Sequence, residues 1–285
     1  MAISVSKEMS TPKITNIRSS ITTRFSQSRL RANLRSSVLR SLGTNSKVSP
    51  GVHILAGHHM GREAIKDRVV FDRQLRGLAE RAKLIDIEDA CDLIGRHENV
   101  DEPLIAFTFD DGYSEWHSHI APALEAHGVN AAFFVNPGYV HGDAEYIARF
   151  NRDAVHTPGK KPINAAQVKD LADRGFVIGA HTIDHADLTG SNSGFLQHQI
   201  ADCKGEIQKL SGKECTMFAW TYGKFRHISP TALSIAKETY ELVFSSDGYP
   251  SLGSNDGRVL NRRHFEPDWP VSHVKYFLRS KRFYE

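Results

Sequence analysis

Short continuous apolar runs along this chain are each followed by longer stretches in which apolar residues recur every third or fourth position. VHILAG at 52–57, LIAFTF at 104–109, AAFFV at 131–135, FVIGA at 176–180, TMFAW at 216–220 and LVFS at 242–245 read as buried strands. Shorter strands are expected at 84–87 and 258–260. Between them, Phe71, Leu75, Leu78 and Ala82 make the apolar face of one helix, and further helices are expected at 87–97, 114–127, 164–174, 195–210, 230–240 and after Pro270. Gly128 and Gly175 end two of these, and Asn164 caps one. Strand then helix, repeated, predicts an α/β fold built on a parallel sheet or barrel.

Two regions break the alternation. Between 140 and 163 the chain mixes His, Gly, Asp, Asn, Pro and Lys without sustained periodicity, although AEYIARF has the pattern of one or two helical turns. This reads as an inserted loop over the site, since long loops in compact domains carry function. Ahead of the Ser49-Pro50-Gly51 break, Ile17, Ile21, Phe25, Leu30, Leu34 and Val38 recur at helical spacing among Arg18, Arg24, Arg29, Arg31, Arg35 and Arg40. No Asp or Glu lies between Glu8 and Glu63. Residues 1–50 are therefore expected to form a basic, partly helical extension, and residues 51–285 the main domain. Such a helix suits packing on the domain with its arginines solvated, or peripheral contact with an anionic membrane surface. Its composition also matches an organellar transit segment.

Composition narrows the class without deciding it. With 40% hydrophobic and 24% charged residues, the chain reads as a globular domain with a sizeable core. A net charge of +3 is too small to argue for nucleic acid, which is not expected as a partner. Cys91, Cys203 and Cys215 have neither paired spacing nor a CxxC, so a disulfide framework and a structural zinc site are not indicated. With no secretory apolar core and no run of about 18 apolar residues, the expected location is cytoplasmic, or peripheral at the inner face of the membrane.

The candidate chemistry sits at strand ends. LIAFTF delivers Asp110 and Asp111 into Gly112, and FVIGA leads into His181 and His185 of HTIDH. Two imidazoles and a carboxylate on neighbouring strand ends make a three-ligand site for Zn²⁺ or another divalent metal, with positions left open. Non-haem iron oxygenases use the same donor types, but their close HxD spacing is absent. Adjacent side chains leaving a strand diverge, so one aspartate can bind the metal while the other acts as a base. The implied reaction class is metal-assisted hydrolysis of an acyl group.

From His53 to Phe265 the chain resembles the NodB-homology polysaccharide deacetylases of carbohydrate esterase family four. TFDDG at 108–112 is similar to the first motif of that family and HTIDH to its second. The resemblance implies a distorted (β/α) barrel of about seven parallel strands. It assigns Asp110 as base and Asp111, His181 and His185 as metal ligands, and implies removal of an N-acetyl group from an amino sugar. The third motif departs from the family's RxPY: FAWTYG has Ala219 and Thr221 where Arg and Pro stand, but keeps Tyr222 and Gly223. Tyr222 can still offer its backbone N–H to an oxyanion. Relatives lacking the motif arginine place one late in the chain, and LNRRHF supplies Arg262 or Arg263, with Arg262 preferred. His264 is the candidate general acid, and His58 or His59 would border the site. Trp116 and Trp220 read as wall or core. The implied partner is an N-acylated sugar, whether nucleotide-linked, lipid-linked or an oligosaccharide. Deformylation or cyclic-amide hydrolysis would use the same site, and a glycan-binding pseudoenzyme is the non-catalytic alternative.

Overall fold

The structure, a computed structural model, describes residues 35–61 and 64–284, so most of the basic helix expected over 17–42 lies outside the described residues. Helix α1 (35–44) leads to β1 (Gly51–Gly57), α2 (Ala64–Ala79), β2 (Lys83–Leu84), α3 (Ile87–Gly95) and β3 (Pro103–Asp111). A π-turn at Trp116–Ile120 opens the next helical segment, continued by α4 (Ala121–Glu125) and β4 (Ala131–Val135). Then come α5 (Pro137–His141), α6 (Ala144–Arg149), α7 (Ala165–Asp173), β5 (Val177–Ala180), α8 (Ser193–Gln197), α9 (Cys203–Ser211) and β6 (Met217–Ala219). The chain finishes with α10 (Pro230–Thr239), β7 (Leu242–Ser245), β8 (Gly253–Ser254), β9 (Val259–Asn261), β10 (Arg263–His264) and α11 (Val271–Leu278).

The strands run in the order β10-β1-β3-β4-β5-β6-β7-β9-β8, parallel except for β8. β9 pairs with β7 through Val243 and Val259, and β10 pairs with β1 through Leu55 and Arg263. Only Arg262 separates β9 from β10, so one continuous segment spans the gap between the two edges and closes the sheet. With that segment as a single stave, the parallel strands β1, β3, β4, β5, β6 and β7 make seven, as expected of a distorted (β/α) barrel.

A period of two sorts the side chains. Val52, Ile54, Leu104, Ala106, Ala132, Phe134, Met217, Ala219, Phe244 and Leu260 fill the interior, and Ile87, Ala90, Cys91 and Ile94 of α3 plug its N-terminal end. Their neighbours Leu55, Ile105, Phe107, Phe109, Phe133 and Phe218 face the helices in the larger outer core. Full burial of each such side chain contributes about 1.5–3 kcal/mol, so a one-residue slip of any strand would exchange two packed layers.

The seam is locked from below by Arg282. Its guanidinium donates to the carbonyls of Tyr249 (3.0 Å), Val52 (2.9 Å), Ser251 (2.9 Å) and Asn261 (2.7 Å), joining β1, β9 and the turn before β8. Helix α1 packs on α11, where Lys275 Nζ donates to the Thr44 carbonyl at 2.9 Å. Gly43 permits this approach, because a Cβ there would stand 1.8 Å from the Ser272 carbonyl oxygen. Among the described residues no helix is long and apolar enough to cross a membrane.

The segment at 140–163 is more ordered than the expected loop. Asp143 caps α6 by accepting from the Tyr146 N–H at 2.8 Å, and the helix runs on through a π-turn at Phe150–Ala154. Tyr139 and Phe150 stack at 4.1 Å and bury their rings against the barrel helices. The apolar contacts come from widely spaced aromatic residues rather than a stripe, which is why periodicity alone did not reveal them.

Candidate active site

β3 carries Leu104, Ala106, Thr108 and Asp110 on its interior face, so the last of these arrives at the barrel mouth beside the seam. There Arg262 donates from Nη1 to Asp110 Oδ1 and from Nη2 to Asp110 Oδ2, each at 2.8 Å. Its remaining donors reach Thr108 Oγ1 (2.9 Å), the Ser245 carbonyl (3.0 Å) and Ser246 Oγ (3.3 Å), so all five N–H groups are used. Both side chains are buried. Burial pushes the Asp110 carboxyl up, but the Arg262 guanidinium and His181 outweigh it and hold the group below its ordinary value.

Asp111 has the opposite parity and would face the outer helices in regular strand geometry. Its φ of +88° turns it back toward the mouth. Thr182, His185 and Tyr222 also adopt positive φ, at 61°, 55° and 62°. Such conformations are costly for residues other than glycine and concentrate at functional sites.

Asp111 Oδ1 lies 3.5 Å from His181 Nε2 and 3.4 Å from His185 Nε2, and all three side chains are buried. The donor atoms fall within 4.8 Å of one another. These separations are long for charge-assisted hydrogen bonds but match the edge between ligands bonded to one cation at about 2.1 Å. One carboxylate and two imidazoles therefore fit a divalent ion. His181 Nδ1 is occupied by the Ala219 carbonyl at 2.7 Å, which leaves Nε2 facing Asp111. Tyr113 OH donates to Asp111 Oδ2 at 3.1 Å. Burial raises the Asp111 carboxyl, yet the facing His181 and His185 imidazoles prevail and place it well below its usual range.

The altered third motif keeps its architecture through other groups. The carbonyl of Ala219, where the family has arginine, orients His181. Thr221, in place of proline, is buried and donates its hydroxyl to the Ala186 carbonyl, tying this loop to the one carrying His185. Tyr222 meets His185 edge-on at 4.9 Å between ring centres. Gly223 has φ +64°, and a Cβ there would meet Ser246 Cβ at 2.6 Å. Its carbonyl accepts from the Ser246 N–H at 2.7 Å, so Ser246 links the Tyr222 loop to Arg262.

His58 and His264 belong to a second cluster. His58 Nδ1 bonds Glu266 Oε1 at 2.7 Å, His264 Nε2 is 3.5 Å from the same oxygen, and the two rings lie 5.3 Å apart. Burial pulls His58 down, but the Glu266 carboxylate more than reverses this and raises it to about 10. His264, with burial as its main influence, is lowered.

Arg263 does not approach Asp110; its guanidinium lies over the Phe277 ring at 4.2 Å. Trp116 and Trp220 are fully buried, and Trp116 Nε1 donates to the His58 carbonyl at 2.7 Å, fixing the loop after β1. Asn136, Ser246, Lys160 and Glu266 also brace the site. Buried Asn136 donates to the carbonyls of His181 and Thr182, bracing HTIDH. Lys160 pairs with Glu115 and donates to the Met60 carbonyl at 2.6 Å, strapping the inserted segment across the site. The polar Asn136 directly after AAFFV was the one signal available, since polar residues at strand ends often serve the site.

A fold with its acids and histidines at the C-terminal mouth of a parallel barrel belongs to a recognisable class. The chain is a member of the polysaccharide deacetylase family, whose sequence profile matches residues 97–240. YxkH of Bacillus subtilis is 23% identical over 195 residues, covering 68% of this chain and 62% of that protein. The peptidoglycan-N-acetylmuramic acid deacetylase PdaA of Bacillus subtilis is 26% identical over 121 residues, 42% of this chain and 38% of that protein. The chain thus spans less than two thirds of the length of either relative. Among solved structures, IcaB from Ammonifex degensii has the same fold, with a TM-score of 0.64 and 21% identity over 82% of this chain and 100% of that one.

Proposed function

We propose that this protein removes an N-acetyl group from an amino sugar within a glycan, using a divalent metal held by Asp111, His181 and His185. The carrying observation is the juxtaposition of that buried triad with a second carboxylate, Asp110, gripped at both oxygens by Arg262. Binding a metal or a sugar needs no such second acid, so the arrangement favours catalysis over a glycan-binding pseudoenzyme.

When bound, a cation of the zinc type supplies Lewis-acid activation of the amide carbonyl and of water. The chain's own groups do the rest. Asp110 accepts the proton of the attacking water, and Arg262 keeps the carboxylate ionised and oriented. The Tyr222 N–H donates to no group among the described residues, which leaves it free to stabilise the developing oxyanion. The departing amine needs a proton, for which the sequence suggested His264. We assign it instead to His58, which Glu266 keeps charged at neutral pH and whose Nε2 stays free of that bond; His264 completes the cluster.

The test is acetate release from a panel of N-acetylated glycans by metal-loaded protein, with Asp110→Asn and Asp111→Asn beside it. Asp110→Asn should lose about 10²–10⁴-fold in kcat while retaining metal, and Asp111→Asn should lose metal and activity together. Acetate release that survives chelation and both substitutions would overturn the mechanism, whereas formate in place of acetate would redirect only the acyl group.

A further inference from the structure

Apart from Asp111, His181 and His185, one other group of His, Cys, Asp or Glu among the described residues brings its ligand atoms within 4.8 Å of one another: His58, His264 and Glu266. The closing seam assembles it. His58 follows β1, His264 belongs to β10 in register with Ala56, and Glu266 lies two residues further on. Three hydrogen bonds hold these positions before any ligand arrives. Trp116 Nε1 donates to the His58 carbonyl at 2.7 Å, the Phe265 N–H to the Ala56 carbonyl at 3.0 Å, and Gln74 Nε2 to the Glu266 carbonyl at 3.1 Å.

The carboxylate is turned to serve both rings. Its Oε2 accepts from the His58 backbone N–H at 3.3 Å, which leaves Oε1 at 2.7 Å from His58 Nδ1 and 3.5 Å from His264 Nε2. The longer separation equals the Asp111–His181 one and is that of two ligands on one cation. The shorter one would open by less than an ångström as an ion took the place of the proton between the two groups. Two imidazoles and a carboxylate are donors for zinc and its transition-metal neighbours, not for magnesium or calcium. Access differs from that of the Asp111 group, which is buried, because His264 leaves 47% of its side chain exposed. An ion here is reached from solvent, and water competes for it.

We propose that His58, His264 and Glu266 form a second, weaker site for a divalent transition metal, and that an ion bound there silences the enzyme. The silencing, unlike the binding, rests on the deacetylase reading above. His58 serves as acid by carrying a proton on each ring nitrogen and giving the one on Nε2 to the departing amine. An ion on Nδ1 sends that nitrogen's proton to solvent. Release of the Nε2 proton would then leave an imidazolate, so the ring no longer acts as an acid. The cluster thus makes excess metal an inhibitor through a site apart from the one that activates.

The experiment is equilibrium dialysis of chelator-stripped full-length protein against Zn²⁺, with bound metal counted, for wild type, Glu266→Gln and His264→Ala. Wild type should bind two ions in two separable steps. Both variants should keep the tighter ion, which certifies their fold, and bind the second about tenfold or more weakly, equivalent to about 1.4 kcal/mol. Acetate release from N-acetylated glycans is followed over the same Zn²⁺ range. In wild type it should rise with the first ion and fall at least about tenfold with the second, since general-acid help is worth about 10²–10⁴-fold. In each variant the fall, relative to that variant's own maximum, should move to higher Zn²⁺ by the same factor as the binding. A single ion in wild type, or a second ion that neither substitution weakens, overturns the site. A second ion that binds as described without lowering acetate release overturns the silencing alone. Two ions bound but no acetate from any glycan overturns the deacetylase reading and the silencing with it, while the site stands.

Discussion

Replacing Arg262 with methionine removes the guanidinium from the seam while keeping an unbranched side chain between Phe134 and Phe244, whose rings flank the group at 5.1 and 5.8 Å. What is lost is the charge and five hydrogen bonds, two of them to Asp110. Asp110 is only 4% exposed, so its carboxylate is left buried without a counter-ion. Breaking a buried pair from one side costs about 3–5 kcal/mol. At about 2–4 °C per kcal/mol for a chain of this size, Tm should drop by roughly 6–20 °C. Adding Asp110→Asn removes the stranded charge, and the double variant should recover about 2 kcal/mol relative to the sum of the single losses. The assay is urea unfolding at pH 7 in chelator, followed by circular dichroism, so that bound metal does not add to native-state stability. If Arg262→Met costs less than about 1 kcal/mol, or if the two penalties simply add, the seam arginine is not the counter-ion that these distances describe.

Glu266→Gln should strip His58 of the carboxylate that raises it from 6.5 to about 10, moving the alkaline limb of kcat/KM down toward the ordinary histidine range. The sign carries over to stability: a raised histidine stabilises fully below 6.5 and loses that contribution as pH climbs to about 10, so wild type should weaken more than Glu266→Gln across this window. Arg282→Ala leaves four carbonyls of the seam without their donor and should cost about 2–4 kcal/mol in urea unfolding. Burial pushes Cys91 and Cys203 up, and Cys215 up to about 12, so a thiol reagent at pH 8 should label none of the three in native protein and all of them after unfolding.

The strands and the grouping of Asp111, His181 and His185 were legible because they rest on local pattern. LIAFTF and FVIGA are continuous apolar runs ending in ligand types, and β3 and β5 deliver Asp111, His181 and His185 as those runs imply. Arg262 was legible only by resemblance, since its partner lies 152 residues away and nothing in LNRRHF distinguishes it from Arg263. The structure separates them by parity: one enters the barrel, and its neighbour packs on aromatic rings. Glu266 was hidden for a different reason. Its importance comes from facing His58 across the closing seam, a contact between the first strand and the last. Pairings of that range leave no periodicity to read.

Because Arg262 is the single residue joining β9 to β10, the side chain that grips Asp110 belongs to the segment that shuts the barrel. Asp110, Asp111, His181 and His185 are all encoded before residue 186, yet Asp110 has no counter-ion until the chain has been extended through 262. A growing polypeptide on the ribosome therefore carries these four residues for some eighty residues without the guanidinium, about 4–16 s at bacterial-to-eukaryotic elongation rates. On the mechanism proposed above, catalytic competence would report, in one measurement, that the last stave has found the first.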